Sequence, residues 1–343
     1  MSPTIDARRR RFIGQAATAM ALAGIGAGAS APNAATLAAA SPHAAAASFG
    51  GLRRVRAGQL DVGYFELGPA NGPPVMLLHG FPYDVHSYVE VAPLLAQRGY
   101  RVIVPYLRGH GPTRFLDSTE PRAGQQGAIG ADVIDLLDAL HLPDAVLAGY
   151  DWGGRAACVV AALWPARCRG LVSVNSYLLQ DIANAASPAP ARVEWGLWYQ
   201  HYFQTERGRA GLAANRAEIA RIIWKNNSPT WDFAPAMFER SAAAFDNPDY
   251  VGVVIHSYRH RMGLAAGFPR YAAIERELAA LPAITVPTIT LDGAADGVVA
   301  ATDGSASAHR FRRRQHRVLP GVGHNLPQEA PAAFADAVVA VLT

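Results

Sequence analysis

Cysteine is scarce: the chain of 343 residues has two, Cys158 and Cys168. That excludes a disulfide scaffold and a four-cysteine zinc site, and buried free thiols are the expected state of both. Charge is also sparse. Only 17% of residues are charged while half are apolar, which excludes a disordered polyelectrolyte. The 32 Gly and 24 Pro follow no triplet period, so a collagen-like chain is excluded too. Four of the 31 basic residues, Arg8, Arg9, Arg10 and Arg11, stand with a single acid, Asp6, in residues 1–48. They carry most of the net charge of +4 and leave the remainder close to neutral. No basic footprint for nucleic acid is left. A chain of this length can bury one large core and still carry an inserted second domain.

What is present begins with an address. Residues 8–14 read RRRRFIG, and no further Asp, Glu, Lys or Arg occurs until Arg53. ALAGIGAGASA (21–31) and an Ala/Ser/Pro-rich stretch to Ser48 follow. A basic start, a mildly apolar middle and small residues form the layout of an export signal over 1–48. The Arg9 to Ile13 pattern resembles a twin-arginine signal, with Ala27-Gly28-Ala29 as one candidate cleavage site. Ala and Gly supply too little transfer energy for stable membrane insertion. The expectation is a periplasmic or secreted protein. A disordered tail on a cytoplasmic protein is the alternative.

From Leu52 the chain alternates. Residues 52–67 read as a hairpin, 73–80 as a buried strand running into a loop, 100–111 as the next strand and a Gly-rich loop, and 144–151, 168–176 and 284–293 as further strands. Residues 87–99, 127–142, 152–165 and 330–342 have helical spacing. Alternating units predict an α/β fold, a mostly parallel central sheet with helices on both faces. Residues 178–281 break the rhythm: they are rich in Trp, Tyr, Arg and Ala, with no clear buried strand. This predicts a core in two parts, 49–177 and 282–343, interrupted by a helical cap over 178–281.

Gly149-Tyr150-Asp151-Trp152-Gly153 lies where a strand meets a helix. This is the strand–turn–helix elbow that lifts a nucleophile above a sheet, with Asp in the usual place of Ser. His79-Gly80-Phe81-Pro82 ends an earlier strand, and Gly323-His324-Asn325 follows the last one. Asp296 lies between them, after the strand ITLDG, with Asp292 as the alternative acid. The order nucleophile, acid, His resembles that of the α/β-hydrolases. The likeness spans roughly residues 52–343. Asp151 read only as a helix N-cap accounts for one residue, but not for His324, the elbow glycines and His79-Gly80 together. A turn residue before Gly297 is the alternative reading of Asp296. Arg155 resembles the second of two arginines that hold a carboxylate in fluoroacetate dehalogenases of this fold, but Trp152 occupies the place of the first, and Arg155 reads as a structural ion-pair partner in preference to a substrate clamp.

An Asp nucleophile changes the reaction. A carboxylate attacks saturated carbon without a base and leaves an alkyl ester on the enzyme. A His oriented by an acid then activates water to cleave that ester, and backbone N–H groups hold the resulting oxyanion. Phe81 and Trp152 stand where those two donors are expected.

Asp151-Trp152-Gly153-Gly154 resembles the signature of epoxide hydrolases of this fold, which use two cap tyrosines to protonate the leaving oxygen. Tyr199 in YQHYFQ and Tyr258 in IHSYR resemble those tyrosine segments, although aromatic clusters are commonly packing alone. The resemblance implies Asp151, His324, Asp296, Tyr199 and Tyr258 as catalytic residues. It implies Phe81, Trp152, Trp198 and Phe203 against a small-molecule epoxide, no cofactor or metal, and a monomer or homodimer. A haloalkane or haloacid dehalogenase with the same nucleophile is the alternative, although Phe81 replaces the Asn that binds halide in many of them. A hydrolase-fold protein that binds ligand without turnover is the third.

Overall fold

The structure, a computed structural model, describes residues 49–343. The leader expected over 1–48 lies outside the described residues. Strands β1 (Arg53–Ala57) and β2 (Leu60–Leu67) form an antiparallel hairpin, with Val55 opposite Val62. β3 (Pro74–Leu78) is apolar from end to end and buried, as a strand covered on both faces must be. After α1 (Val91–Gln97) come β4 (Arg101–Pro105) and the two-residue β5 (Arg114–Phe115), which the alternation did not disclose. Then follow α2 (Gln126–Ala139), β6 (Ala145–Gly149), α3 (Asp151–Leu163) and β7 (Cys168–Val174).

Only helices and turns fill the next hundred or so positions. They are α4 (Ala191–Gly196), α5 (Trp198–Tyr202), α6 (Glu206–Ala214), α7 (Arg216–Asn227), α8 (Pro235–Ala242), α9 (Tyr250–Arg261) and α10 (Ala272–Ala279). β8 (Thr288–Gly293) and β9 (Arg314–Leu319) return to the sheet, and α11 (Leu326–Glu329) and α12 (Pro331–Ala340) close the described chain. The sheet order is β1-β2-β4-β3-β6-β7-β8-β9, with β5 beside β2. From β4 to β9 every neighbouring pair is parallel. α2 and α3 pack together, as do α1 and α12.

Parallel order brings the C-terminal ends of β3, β6, β7, β8 and β9 to one edge, the place where open α/β sheets hold ligands. The cap helices lie over that edge and are tied to it. Trp224 on α7 donates its indole N–H to the Pro82 carbonyl at 2.6 Å and stacks on Tyr83. α10 instead rests on the core helices, where Glu275 accepts the Gly127 amide at 2.8 Å. Cys158 and Cys168 are both free and buried. No helix of the described residues is long and apolar enough to cross a membrane.

Candidate active site

Asp151 is the first residue of α3 and has φ of +49°. Side chains beyond Gly rarely adopt that conformation, which costs on the order of 1–3 kcal/mol. The surroundings impose it. A Cβ on Gly153 would stand 2.0 Å from the Leu78 carbonyl oxygen, so α3 passes directly against the end of β3. One on Gly149 would meet the Gly153 backbone at 2.6 Å. Between them Tyr150 is fully buried, its hydroxyl 2.7 Å from Ser87 Oγ and its ring edge-on to Tyr83. The turn is locked on both sides, and the Asp151 carboxylate projects above the sheet.

One oxygen of that carboxylate, Oδ1, accepts the Phe81 amide at 2.7 Å. The Phe81 loop is fixed by His79, whose Nε2 accepts the Leu107 amide at 3.1 Å while Nδ1 bonds the Gly80 carbonyl at 2.9 Å. Because a backbone N–H can only donate, Nε2 is bare and the proton sits on Nδ1. Burial, then the neighbouring His110, holds His79 well below its ordinary pKa, so it is a neutral clamp. The Phe81–Pro82 peptide bond is cis. The Trp152 amide lies in the first turn of α3, where amides lack intrahelical acceptors; the first such bond runs from Gly154 to Tyr150. Phe81 thus brings a backbone donor to the Asp151 side chain, and the Trp152 amide stands free of an intrahelical acceptor one residue on.

His324 follows β9 and places Nε2 4.0 Å from Asp151 Oδ2. Its Nδ1 bonds Asp296 Oδ2 at 2.7 Å. Asp296 also accepts the Val298 and Val299 amides at 2.8 and 2.9 Å and the Asn175 side-chain N–H at 3.2 Å. The two acids left open by the sequence are thereby separated. Asp292 accepts from Thr302 at 3.0 Å, faces His316 and makes no contact with His324. Sequence reading missed Asn175, which has φ of +64°, a conformation Asn tolerates. It also missed Ser228, whose Oγ accepts the His324 amide at 3.0 Å and donates to Glu329 at 2.6 Å.

Burial alone would depress His324. Asp296, then Asp151 and Glu329, overcome it and raise the imidazole to about 9. Burial likewise disfavours the Asp296 carboxylate, yet His324 and the two valine amides hold its pKa below the ordinary value. The resting site therefore pairs Asp151 with an imidazolium. Esterifying Asp151 would remove one of the charges holding that proton and free the ring to act as a base.

Tyr199 on α5 and Tyr258 on α9 meet edge to face, ring centres 5.5 Å apart, above Phe81. Burial, then the Asp151 charge, raises Tyr199; burial, then Tyr199 and Asp151, raises Tyr258 well above the usual phenol. Both remain protonated donors.

A cavity of about 430 Å³ opens beside them, with Asp151, Tyr199 and His324 in its wall. Leu178, Val193, Leu197, Val298 and Val299 supply its apolar surface. The expected substrate contacts Trp152, Phe81, Trp198 and Phe203 are not in that wall. Phe203 is fully buried behind the two tyrosines, and Trp198 packs on Tyr199 and Tyr202. Phe81 and Trp152 stack on each other at 5.3 Å beneath them. Large aromatics gain more by packing together than by facing a wet cavity. Among the described residues no group of three or more His, Cys, Asp or Glu is placed to hold a metal ion.

The sequence profile of the alpha/beta hydrolase fold matches residues 73–331. This chain belongs to the α/β-hydrolase family. The hydrolase is similar to the crystal structure of a "putative epoxide hydrolase" from Klebsiella pneumoniae, with 51% identity and a TM-score of 0.84, covering 86% of this chain and 98% of that one. It is 33% identical over 153 residues to epoxide hydrolase B of Mycobacterium tuberculosis, covering 40% of this chain and 41% of that protein. It is 27% identical over 303 residues to epoxide hydrolase A of the same organism, covering 81% and 92%. The first curated relatives are matched over only 25% to 41% of their own length.

Proposed function

We propose that this α/β-hydrolase is a cofactor-independent epoxide hydrolase. The observation that carries the reading is the pair of buried, protonated tyrosines packed on each other and on Phe81, whose amide bonds the Asp151 carboxylate, with Tyr199 in the wall of the same cavity as Asp151, because an oxirane oxygen must be protonated as it leaves and a halide need not be. Similarity to proteins named epoxide hydrolases supports it. Asp151 attacks a ring carbon, the C–O bond breaks, and Tyr199 or Tyr258 gives its proton to the departing oxygen. The His324 imidazolium passes its proton to the tyrosinate, and the neutral ring then takes a proton from water, whose oxygen attacks the ester carbonyl. The Phe81 and Trp152 amides hold the oxyanion. Collapse releases a vicinal diol, whose departing oxygen takes the second proton of that water, and restores the Asp151 carboxylate beside the His324 imidazolium.

A Tyr199→Phe, Tyr258→Phe double variant should lose diol formation by about 10²–10⁴-fold if proton donation limits ring opening. Unchanged epoxide turnover would remove the tyrosines from the scheme. The Trp152 indole N–H, buried and without a partner, favours a second reading as a dehalogenase. Halide release from a haloalkane with no diol from any epoxide would establish that reading instead. We infer as well that residues 1–48 direct export through a twin-arginine-type signal, on the strength of RRRRFIG and the uncharged stretch to Arg53. N-terminal sequencing checks this, and cytoplasmic protein with an intact Met1 would contradict it.

A further inference from the structure

The last turn of a helix leaves carbonyl oxygens that no helical amide reaches. In α7 the final carbonyl oxygen, that of Asn227, is taken up by two loops of the active site: it accepts the Gly297 amide at 2.9 Å and the His324 amide at 3.3 Å. Ser228, the next residue, is 1% exposed. Its Oγ accepts the His324 amide at 3.0 Å and the Asn325 amide at 3.3 Å, and donates to Glu329 Oε1 at 2.6 Å. Glu329 in turn accepts the Gly323 amide at 2.6 Å and the Asn325 amide at 3.1 Å. The partners of Glu329 all donate, which suits a carboxylate and not the protonated acid. Three successive amides, those of Gly323, His324 and Asn325, thus end on one serine hydroxyl, one carboxylate and one helix carbonyl.

Steric fit ties the same turn to both loops. A Cβ on Gly323 would stand 2.7 Å from Ser228 Oγ, and one on Gly297 would overlap the Asn226 carbonyl oxygen. Both loops therefore carry glycine where the cap presses on them. The sheet does not reach that far. Asp296 lies three residues past Gly293, the end of β8, and His324 five past Leu319, the end of β9. The backbone bonds from Ala294 to Leu319 and from Ala295 to Val322 extend the pairing a little and stop short of His324. The 2.7 Å bond between His324 Nδ1 and Asp296 Oδ2 thus joins two loops beyond the strands, and the turn over residues 226–228 touches both.

We infer that the C-terminal turn of α7 is a brace that holds His324 against Asp296 for the hydrolytic half of the cycle, with Ser228 and Glu329 as its positioning residues. The assignment to that half rests on the epoxide hydrolase reading above. Neither side chain lines the cavity that holds Asp151, so each acts through the main chain of the His324 loop. Ring opening needs only Asp151 and the tyrosines, and a loosened brace spares it. Ester hydrolysis needs Nε2 aimed at a water beside the ester carbonyl, where a misplacement of about 1 Å costs on the order of 10²-fold. The cap thus does more than enclose substrate: without its seat on the two loops the ester is not cleared.

The test separates the two half-reactions by rapid quench with styrene oxide and epoxyhexane, reading the Asp151 ester by intact-protein mass. Ser228→Ala should form the ester at the wild-type rate and hydrolyse it about 10–100-fold more slowly. Ser228→Thr, which keeps the hydroxyl, should recover most of that loss. Glu329→Gln, which sets an N–H group against one of the amides, should slow the same step and leave ring opening alone. A second readout needs no substrate. The proton on His324 Nδ1 gives a far-downfield NMR signal, assigned by its loss in His324→Gln, and it should shift or broaden in Ser228→Ala. Ester hydrolysis at the wild-type rate in both Ser228→Ala and Glu329→Gln overturns the proposal. So does a slowing of ring opening by the same factor as hydrolysis, which is a general loss of the fold. If Ser228→Ala does not fold, Glu329→Gln decides by the same two rates. A wild-type protein that forms neither ester nor diol from either epoxide removes the epoxide reading; the proton signal then decides the brace, and a signal unchanged in Ser228→Ala overturns it.

Discussion

His324→Gln protein opens its substrate once, stalls as an ester of Asp151 and gains the mass of one substrate molecule. The first half of the reaction needs only a carboxylate and a proton donor, and both are untouched by the substitution. The second half needs a base for water, and an amide is not one. Steady-state diol formation should fall by about 10³-fold, within the range of general-base losses. Intact-protein mass spectrometry after exposure to an epoxide checks this, and near-normal turnover with no adduct would remove His324 from the hydrolytic step. The wild-type protein adds a pH test. Against its burial, His324 is held at about 9 by Asp296 and Asp151 together. In the ester Asp151 has no charge, so the imidazole gives up its proton at lower pH than in the resting enzyme. Ester hydrolysis should therefore quicken as pH rises and level off below pH 9. A rate still climbing beyond that point would mean the charge at 151 does not govern the base.

Asp151→Ala should abolish turnover, with a loss of about 10⁴-fold or more, since no neighbouring carboxylate can replace the missing one. Asp296, which bonds His324, is fixed by two backbone amides and faces Nδ1, on the far side of the ring. A single turnover of the wild-type protein in ¹⁸O-water distinguishes the covalent route from direct attack. Water adds to the ester carbonyl, so label should enter the Asp151 carboxylate, and the diol should carry away an oxygen that began on the protein. Label found only in the diol would mean that water, not Asp151, attacked the ring.

The frame of this site was legible because its signals are local. Short apolar runs such as PVMLL and AVLAG can be little else than buried strands, and the glycines around Asp151 mark a backbone too crowded for side chains. The choice between Asp296 and Asp292 was not local. Both sit at or just beyond the end of β8, and the fold of the loop to Thr302 turns one toward His324 and the other away. The wall of the cavity was harder still. The sequence places Trp198 and Phe203 in an aromatic-rich cap, but does not show which side of Tyr199 each will occupy. Arg155, read as an ion-pair partner, makes no ion pair among the described residues, which shows only with the neighbouring carboxylates in place.

The cap enters the chain between β7 and β8, so Asp151 is synthesised long before Asp296 and His324. A ribosome-bound intermediate that has reached the cap holds the nucleophile without the means to discharge it. The Phe81 loop, which bonds the Asp151 carboxylate, is already made by then, but the last two parallel strands must join the sheet before an alkylated carboxylate can be cleared. A chain made only as far as the start of the cap thus lacks both the tyrosines that protonate an opening oxirane and the imidazole that clears the ester, and the whole cycle awaits the last strands.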